Sequence, residues 1–198
     1  MKGGSLLILF VIFFAAARAQ FTYGFKGGLN SSAESVGSSD YSTSERIGFN
    51  GGVFAAHPVA GAFAARAELF YSAEGTREKY KPTGATGEIK RGFLRLPLLV
   101  QYRIGSGIYV ETGPQVGLLL SSKEDFDGVV MNIKQYYSAA NLGWCFGAGA
   151  RLDELLKGSG VNVRYAPGLT RLNKEAIAGK SLTSSVWSVG LFYTLGDR

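Results

Sequence analysis

The side chains that most often perform chemistry in proteins are scarce in this sequence. Its single histidine, His57, precedes Pro58 in a short connector, and its single cysteine, Cys145, lies in an apolar run. A catalytic triad needs a preorganised histidine, a reactive thiolate needs a basic neighbour, and the usual zinc sites combine several Cys and His ligands. The residues therefore predict a protein that is not an enzyme and that binds neither a metal nor a cofactor.

A second group of ionisable residues recurs at alternate positions, as Arg66 and Glu68 do around Ala67. Side chains two apart share one face of a strand, and buried charges are costly unless they are paired. We therefore predict a salt-bridge network inside a barrel, in which Glu68 and Glu111 bridge arginines of the neighbouring third, fourth and fifth strands. A plug that braces the interior is the main interpretation, and a narrow proton or ion path is the alternative. The predicted network comprises Lys26, Arg66, Glu68, Arg95, Arg103, Glu111 and Arg164.

The elements that position these residues are apolar-rich segments separated by connectors rich in Gly, Ser, Asn, Asp and Lys. This pattern is typical of strands and turns. No segment sustains a helical period, and the best helical candidate, 153–157, is about one turn long. The predicted strands are 21–30, 46–56, 62–75, 92–104, 108–120, 137–151, 160–169 and 184–195.

The connectors alternate in length along the chain. Those at 57–61 and 105–107 are tight and the one at 152–159 is intermediate, whereas the others are long and polar. A transmembrane barrel has short periplasmic turns and longer extracellular loops, and a soluble sandwich has no reason to sort its connectors in this way. The long connectors are 31–45, 76–91, 121–136 and 170–183.

The alternation of side chains indicates which solvent each face of the sheet meets. In the fourth strand, Leu94, Leu96 and Leu98 share one face, whereas Arg95 and Leu99 share the other. The faces opposite the bulky apolar ones are rich in glycine, which suits a lumen only wide enough for side chains. Because lipid offers no hydrogen-bond partners, the sheet must also close without an edge. The prediction is an all-β, eight-stranded antiparallel up-and-down transmembrane β-barrel, with a soluble lipocalin-like carrier barrel as the alternative.

Aromatic residues stand at the ends of the apolar faces. Tyr23, Tyr102 and Tyr193 are expected near the periplasmic rim, and Tyr71 and Trp187 near the opposite rim. Outer-membrane barrels carry aromatic girdles at both interfaces, so we predict that these residues face the lipid headgroups. Ordinary cross-strand packing is the alternative.

The N-terminal residues predict export. Lys2 precedes the apolar run 6–17, and Ala17-Arg18-Ala19 has the small-x-small pattern of a signal peptidase site. The run of 12 residues is shorter than the roughly 17–25 that span a bilayer as a helix. We expect a signal peptide at 1–19, cleaved after Ala19, followed by an outer-membrane β-barrel domain at 20–198.

Four short motifs occur in an order that is known from one group of proteins: GGLN at 27–30, AELFY at 67–71, LPLL at 96–99 and TGPQ at 112–115. With them the chain resembles the outer-membrane β-barrel family of Bacteroidetes-type bacteria, also called porin-family or PorT-like proteins. The resemblance covers essentially the whole chain after the signal peptide. It implies an eight-stranded barrel integral to the outer membrane, and some relatives are linked to a secretion and gliding apparatus.

The functional expectation is a non-enzymatic outer-membrane barrel with a side-chain-filled lumen and a structural or interaction role; a component of a secretion apparatus is the alternative. Expected partners are outer-membrane lipid, lipopolysaccharide, the barrel-assembly machinery and proteins that contact the long loops. Ser188, Gly190, Tyr193 and Leu195 match the C-terminal assembly signal of such barrels. The net charge of +6 is dispersed along the chain, so no nucleic-acid partner is expected.

Overall fold

Strands make up most of the computed structural model, which describes residues 21–35, 41–80, 86–126, 128–173 and 182–195. The predicted signal peptide lies outside these residues. Within them, no helix is long and apolar enough to cross a membrane, and a short 3-10 helix covers Lys134–Tyr136. The strands are β1 (Thr22–Ser35), β2 (Tyr41–Ala60), β3 (Phe63–Tyr80), β4 (Thr86–Ile104), β5 (Ile108–Phe126), β6 (Val129–Asn132), β7 (Ala140–Arg151), β8 (Ser159–Pro167) and β9 (Thr183–Leu195).

The sheet closes into a ring. Its strands pair antiparallel with their neighbours along the chain, and β9 returns to β1 along a ladder from Tyr23–Leu195 to Ser35–Thr183. β6 pairs only with β5 and is an addition to the ring. In the described part of the chain, the ring therefore consists of eight strands, β1–β5 and β7–β9. The predicted eight-stranded antiparallel barrel is confirmed.

The periplasmic turns are tight, as the connector lengths predict. Residues 61–62 join β2 to β3, and residues 105–107 join β4 to β5. Gly61 and Gly105 have φ values of +53° and +67°, which glycine adopts without the steric cost of a Cβ atom.

One local prediction near these turns is wrong. His57 does not lie in a turn, because it pairs with Ala65 inside the β2–β3 ladder. Residues 153–157, the best helical candidate in the sequence, form successive turns. The chain reverses there so that Leu152 can donate its N–H to the carbonyl of Ser159.

The extracellular ends of the strands differ most from the prediction. β2, β3, β4 and β5 contain 20, 18, 19 and 19 residues, about twice the 9–11 residues of a membrane-spanning strand. Much of the connectors predicted at 31–45, 76–91 and 121–136 therefore belongs to hairpins that continue beyond the membrane. Beyond the membrane both faces of these hairpins meet water, so polar side chains can point to either face while the antiparallel main-chain ladder continues.

The two faces of the wall meet different surroundings. Leu98 is 54% exposed on the outside of β4, whereas the adjacent Leu99 is 3% exposed in the lumen. Bulky apolar side chains cover the outside along the ring, while Arg66, Glu68 and Glu111 are buried inside. This arrangement contradicts the soluble-carrier alternative, which needs an apolar face lining an internal cavity.

Candidate functional site in the barrel lumen

An aromatic layer occupies the periplasmic part of the lumen. Phe54 of β2, Tyr109 of β5 and Phe192 of β9 are buried there as one cluster. The Phe54 and Phe192 rings meet edge to face with their centroids 6.0 Å apart, a favourable arrangement of two ring quadrupoles. The guanidinium of Arg66 lies over the Phe54 ring, 3.7 Å from its centroid. The aromatic layer thereby stabilises a cation of the next layer.

The central layer consists of Lys26, Arg66, Glu68, Gln101, Glu111 and Arg164. At its centre, Glu68 Oε2 accepts hydrogen bonds from Lys26 Nζ at 2.8 Å and from Arg164 Nη1 at 2.7 Å. Glu68 Oε1 accepts from Arg66 Nε at 2.7 Å and from Arg164 Nη2 at 3.0 Å. One carboxylate, only 1% exposed, therefore binds three cations.

Arg164 joins this carboxylate to a second one. Its Nη2 donates to Glu111 Oε1 at 2.5 Å and its Nε donates to the same oxygen at 3.0 Å. Gln101 Nε2 donates to the other oxygen of Glu111 at 2.9 Å. The guanidinium of Arg164 is thus shared between two buried acids, which fixes its plane and its direction.

The charged residues of the layer come from alternate strands of the ring. Lys26, Glu68, Glu111 and Arg164 come from β1, β3, β5 and β8, which are every second strand. Inward side chains of alternate barrel strands reach the same height and stack in layers. β3 and β8 have three strands between them in both directions around the ring, so the Arg164–Glu68 pair spans the lumen.

A further ionic group lies towards the extracellular side. Arg95 donates from Nε and Nη2 to the two oxygens of Glu74 at 2.9 and 2.5 Å, and from Nη1 to Asn141 Oδ1 at 2.8 Å. Gly117 leaves room for it, because a Cβ atom there would lie 2.2 Å from Arg95 Nη1. The guanidinium of Arg95 thus fills the volume that a side chain at position 117 would otherwise occupy.

Apolar side chains close the extracellular mouth. Some belong to the barrel wall, and others belong to the described residues between β6 and β7 and between β8 and β9. Arg91, paired with Glu34, lies over the Tyr137 ring at 4.2 Å from its centroid. The cluster consists of Ile89, Phe93, Leu119, Ile133, Tyr137, Leu172 and Leu182. Aromatic, ionic and apolar layers therefore follow one another along the axis.

The structure distributes the residues of the predicted network over three places. Lys26, Arg66, Glu68, Glu111 and Arg164 lie together in the central layer. Of the predicted arginine bridges among the third, fourth and fifth strands, the structure shows Arg66–Glu68 within β3. The other ion pairs of Glu68 and Glu111 go to Lys26 of β1 and Arg164 of β8, which strand tilt brings to the same height.

The other two predicted residues lie elsewhere. Arg95 binds Glu74 in the layer above. Arg103 is exposed at the end of β4, where its Nη2 donates to the carbonyl of Gly61 at 3.3 Å. Its predicted place in the lumen is wrong, because the wall ends at the adjacent turn. The prediction also missed Glu74, although extending the alternation of Arg66 and Glu68 along β3 leads to it.

The predicted interface aromatics all point away from the lumen. Tyr23, Tyr102 and Tyr193 lie near the periplasmic ends of β1, β4 and β9 and are exposed. Tyr71 and Trp187 are also exposed and lie nearer the extracellular side. The Tyr71 ring is 5.7 Å from that of Phe49, and the Trp187 ring is 4.8 Å from that of Tyr165.

The isolated histidine and cysteine contact few polar groups. Cys145 is buried and its Sγ donates to Gln115 Oε1 at 3.4 Å. The His57 ring packs against Phe21, with the centroids 5.1 Å apart. In the part of the chain that the structure describes, no group of three or more His, Cys, Asp and Glu side chains could hold a metal ion.

Charged residues also form ion pairs on the hairpins beyond the membrane. Glu88 accepts from Arg46 Nε at 2.9 Å and lies 3.1 Å from Lys90 Nζ, which also contacts Asp125 at 3.3 Å. Partial burial acts to raise the pKa of Glu88, but hydrogen bonds from Lys90 and Arg46 prevail and lower it. These ion pairs hold β2, β4 and β5 together where no lipid surrounds the wall.

A closed ring with an apolar outside and ionised residues inside defines an integral β-barrel of the outer membrane. The model of the family described as outer membrane protein beta-barrel domain matches residues 15–173. The chain belongs to this family. No curated protein matches the sequence.

A solved outer-membrane protein shares the architecture. The crystal structure of Neisserial surface protein A (NspA) superposes with a TM-score of 0.57 at 14% identity, covering 87% of this chain and 97% of that chain. At this identity the likeness concerns the fold. Two further matches have lower TM-scores. Ail, the attachment invasion locus protein of Yersinia pestis, gives 0.49 at 13% identity, covering 88% and 98%. OprG from Pseudomonas aeruginosa gives 0.43 at 13% identity, covering 88% and 94%.

Proposed function

We propose that this protein is a non-enzymatic outer-membrane barrel with a sealed lumen, which acts as a structural element and as a base for interactions outside the cell. The observation that carries the proposal is the central layer, in which Arg164 binds Glu68 and Glu111 across the interior. Ions crossing the lumen would have to displace several buried charge-assisted hydrogen bonds at once. Such bonds are stronger than neutral ones, so the layer acts as a plug.

The layers on either side support the same role. The aromatic cluster lies below the charges and the apolar cluster lies above them. Apolar layers disfavour the entry of water and ions, because a charge leaving water for an apolar environment pays a large desolvation cost. A proton or ion path needs a continuous polar route, and these clusters interrupt it.

The exposed parts of the hairpins provide the interaction surfaces. Lys90 and Lys123 are paired across β4 and β5, beyond Leu120, where the alternating apolar pattern on the outside of β5 ends. We propose that they contact lipopolysaccharide phosphates, which lie at the border of the outer leaflet. Tyr193 and Leu195 belong to the C-terminal pattern that we assign to the barrel-assembly machinery.

The proposal includes a finer family placement, among the Bacteroidetes-type porin-family or PorT-like barrels. It is supported by the motifs at 96–99 and 112–115, which lie in the membrane-spanning parts of β4 and β5. Export through the predicted signal peptide at 1–19, with cleavage after Ala19, belongs to the same proposal. A role in a secretion apparatus remains a prediction from the resemblance.

Planar-bilayer recording on the purified, refolded protein tests the sealed lumen. We expect no stable conductance from the wild-type protein, because the layers block the axis. Anomalous gel migration before boiling, which is typical of folded barrels, serves as the folding control. Stable conductance from the folded wild-type protein, altered in Glu111→Gln, would establish an ion path and overturn the plug.

A further inference from the structure

The strand β6 is the most exposed apolar element outside the membrane. Val129, Val130 and Met131 are all exposed, with Val130 at 59%. β6 pairs with β5 on one side, and its other edge has no strand beside it among the described residues. β6 carries no charged side chain, although charged side chains are a usual protection of a free sheet edge.

The free edge presents unpaired main-chain groups. Ile133 donates its N–H to the carbonyl of Ser122 at 3.0 Å. In an antiparallel ladder every second residue bonds to the same neighbour, so Met131 also directs its N–H and C=O towards β5. Val130 and Asn132 consequently direct theirs away from β5. These groups match the hydrogen-bonding pattern of an added strand.

Lipid does not cover this edge. Leu120 ends the alternating apolar pattern on the outside of β5, and the polar run 121–125 follows it. β6 pairs with residues 123–126, which lie three to six positions further from the membrane. At a rise of about 3.4 Å per residue, this places β6 roughly 10–20 Å along the strand beyond the hydrocarbon.

A cleft of about 470 Å³ opens where β6 ends. Asn132 belongs both to the free edge and to the cleft wall, so the two features are continuous. The cleft is large enough for a side chain, and Lys134 lies at its border. The lining residues are Leu119, Asn132, Lys134, Gln135, Tyr137 and Ala139.

Charge is distributed unevenly along the edge. Asp125 is paired with Val130, whereas Lys123 is paired with Asn132, close to Lys134. Lys123 and Lys134 are exposed, and neither forms an ion pair with the described residues. The end of the β6 edge beside the cleft is therefore basic, and its charge is complementary to an acidic side chain on a bound segment.

We propose that the free edge of β6 binds an extended segment of another protein by strand addition. The segment bonds to the N–H and C=O groups of Val130 and Asn132, inserts an apolar or aromatic side chain into the cleft, and places an acidic side chain beside Lys134. This inference rests on the proposed function, since it names the kind of partner that an interaction barrel would take.

A second copy of the chain fits the edge less well. An antiparallel pair of two β6 strands has its twofold axis perpendicular to the sheet. Because the wall of the barrel stands upright in the membrane, that axis lies in the membrane plane and would invert one copy. Copies inserted by the same route share one orientation, so a separate polypeptide is the occupant that the geometry allows.

Fluorescence anisotropy with the full-length barrel in lipid nanodiscs tests the proposal. The probe is a labelled ten-residue peptide of alternating valine and threonine that carries one tyrosine and one glutamate. We expect saturable binding to the wild-type protein and a loss of about tenfold in Val130→Pro, which removes one edge donor without touching the β5–β6 bonds. Val130→Thr keeps the donor and should bind like the wild type.

A charge reversal tests the cleft separately. A second peptide carries lysine in place of the glutamate. We expect the wild-type protein to prefer the glutamate peptide and Lys134→Glu to prefer the lysine peptide. The proposal is overturned if the wild type binds neither peptide, if Val130→Pro binds as well as Val130→Thr, or if Lys134→Glu leaves the preference unchanged. Dimers that disappear in Val130→Pro would assign the edge to a second copy instead. None of these results bears on the sealed lumen, which conductance tests.

Discussion

Arg164 on β8 grips Glu68 on β3 through two hydrogen bonds of 2.7 and 3.0 Å, although 96 positions separate the two residues in the chain. Their strands face each other across the ring. The pair therefore connects opposite walls of the barrel. Main-chain ladders connect only neighbouring strands. The same guanidinium also binds Glu111, so a single side chain connects three strands.

Neutralising Glu68 should strongly destabilise the folded barrel. In Glu68→Gln, three cations, Lys26, Arg66 and Arg164, would share the layer with Glu111 as the remaining carboxylate. Removing one partner of a buried ion pair costs about 3–5 kcal/mol. We expect a loss of this size in the free energy of unfolding, measured by denaturant titration in lipid vesicles with tryptophan fluorescence.

Lys26→Met is the matched control within the same layer. It leaves two cations, Arg66 and Arg164, with two carboxylates, Glu68 and Glu111, and it replaces a buried charge by an apolar side chain of similar length. Breaking a buried ion pair is costly because it leaves a charge without a partner. In Lys26→Met, Glu68 keeps Arg66 and Arg164, so the loss in the free energy of unfolding should be smaller than in Glu68→Gln. Equal losses in Lys26→Met and Glu68→Gln would show that charge balance does not govern this layer.

Adding one methyl group at Gly117 should disrupt the Arg95–Glu74 pair. The new Cβ atom would lie 2.2 Å from Arg95 Nη1 and from Asn141 Oδ1, so one of the two buried groups must move. Overpacking of this kind costs about 1–3 kcal/mol. Gly27→Ala is the control, since its Cβ atom meets only the Asn50 carbonyl, at 3.7 Å. Urea titration should show a lower unfolding midpoint in Gly117→Ala alone.

A charge on the outer face should be harmful only inside the lipid band. Leu98→Arg places a cation near the middle of the membrane-spanning part of β4, at an expected cost of about 2–4 kcal/mol. Leu155→Arg makes the same substitution in a periplasmic turn, where Leu155 is 83% exposed, and should change little. The fraction folded after refolding into vesicles, read from gel migration, compares them. Similar folding yields of the two variants would argue against the lipid-facing assignment of Leu98.

The periplasmic turn after β7 should loosen at acid pH. Hydrogen bonds to Asp153 from the Arg151 side chain and from the Gly158 N–H, 2.7 and 2.8 Å long, hold the pKa of this carboxyl below its ordinary value of 3.8. Because folding lowers the pKa of Asp153, its ionised form stabilises the folded turn. This stabilisation is complete above the pKa of the unfolded chain and is lost as the pH falls through the pKa of the folded protein.

Nuclear magnetic resonance of the barrel in micelles can follow this turn through the Gly158 amide. Its chemical shift should follow the titration of Asp153, with a midpoint below 3.8. Asp153→Asn should abolish the titration. A midpoint at or above 3.8 would contradict the expected role of Arg151 and Gly158.

Features that depend on neighbouring residues along the chain could be predicted from the sequence. Period-two alternation placed Leu98 outside and Leu99 inside, and it put Arg66 and Glu68 on one inward face. The connector predicted at 105–107 matches the β4–β5 turn, whereas the one predicted at 57–61 begins four residues before the β2–β3 turn at 61–62. These features follow from local backbone geometry, because successive side chains of a strand must point to opposite faces.

Which inward residues meet depends on the closed ring. The sequence places Arg164 in the lumen, but its height relative to Glu68 depends on the tilt and stagger of the closed ring, which no single strand specifies. The same holds for the Arg95–Glu74 pair and for the exposure of Arg103 at the end of the wall. The sequence also did not predict the free edge of β6. Strands outside the membrane pair without an alternating apolar pattern, so no such pattern marked β6 in the sequence.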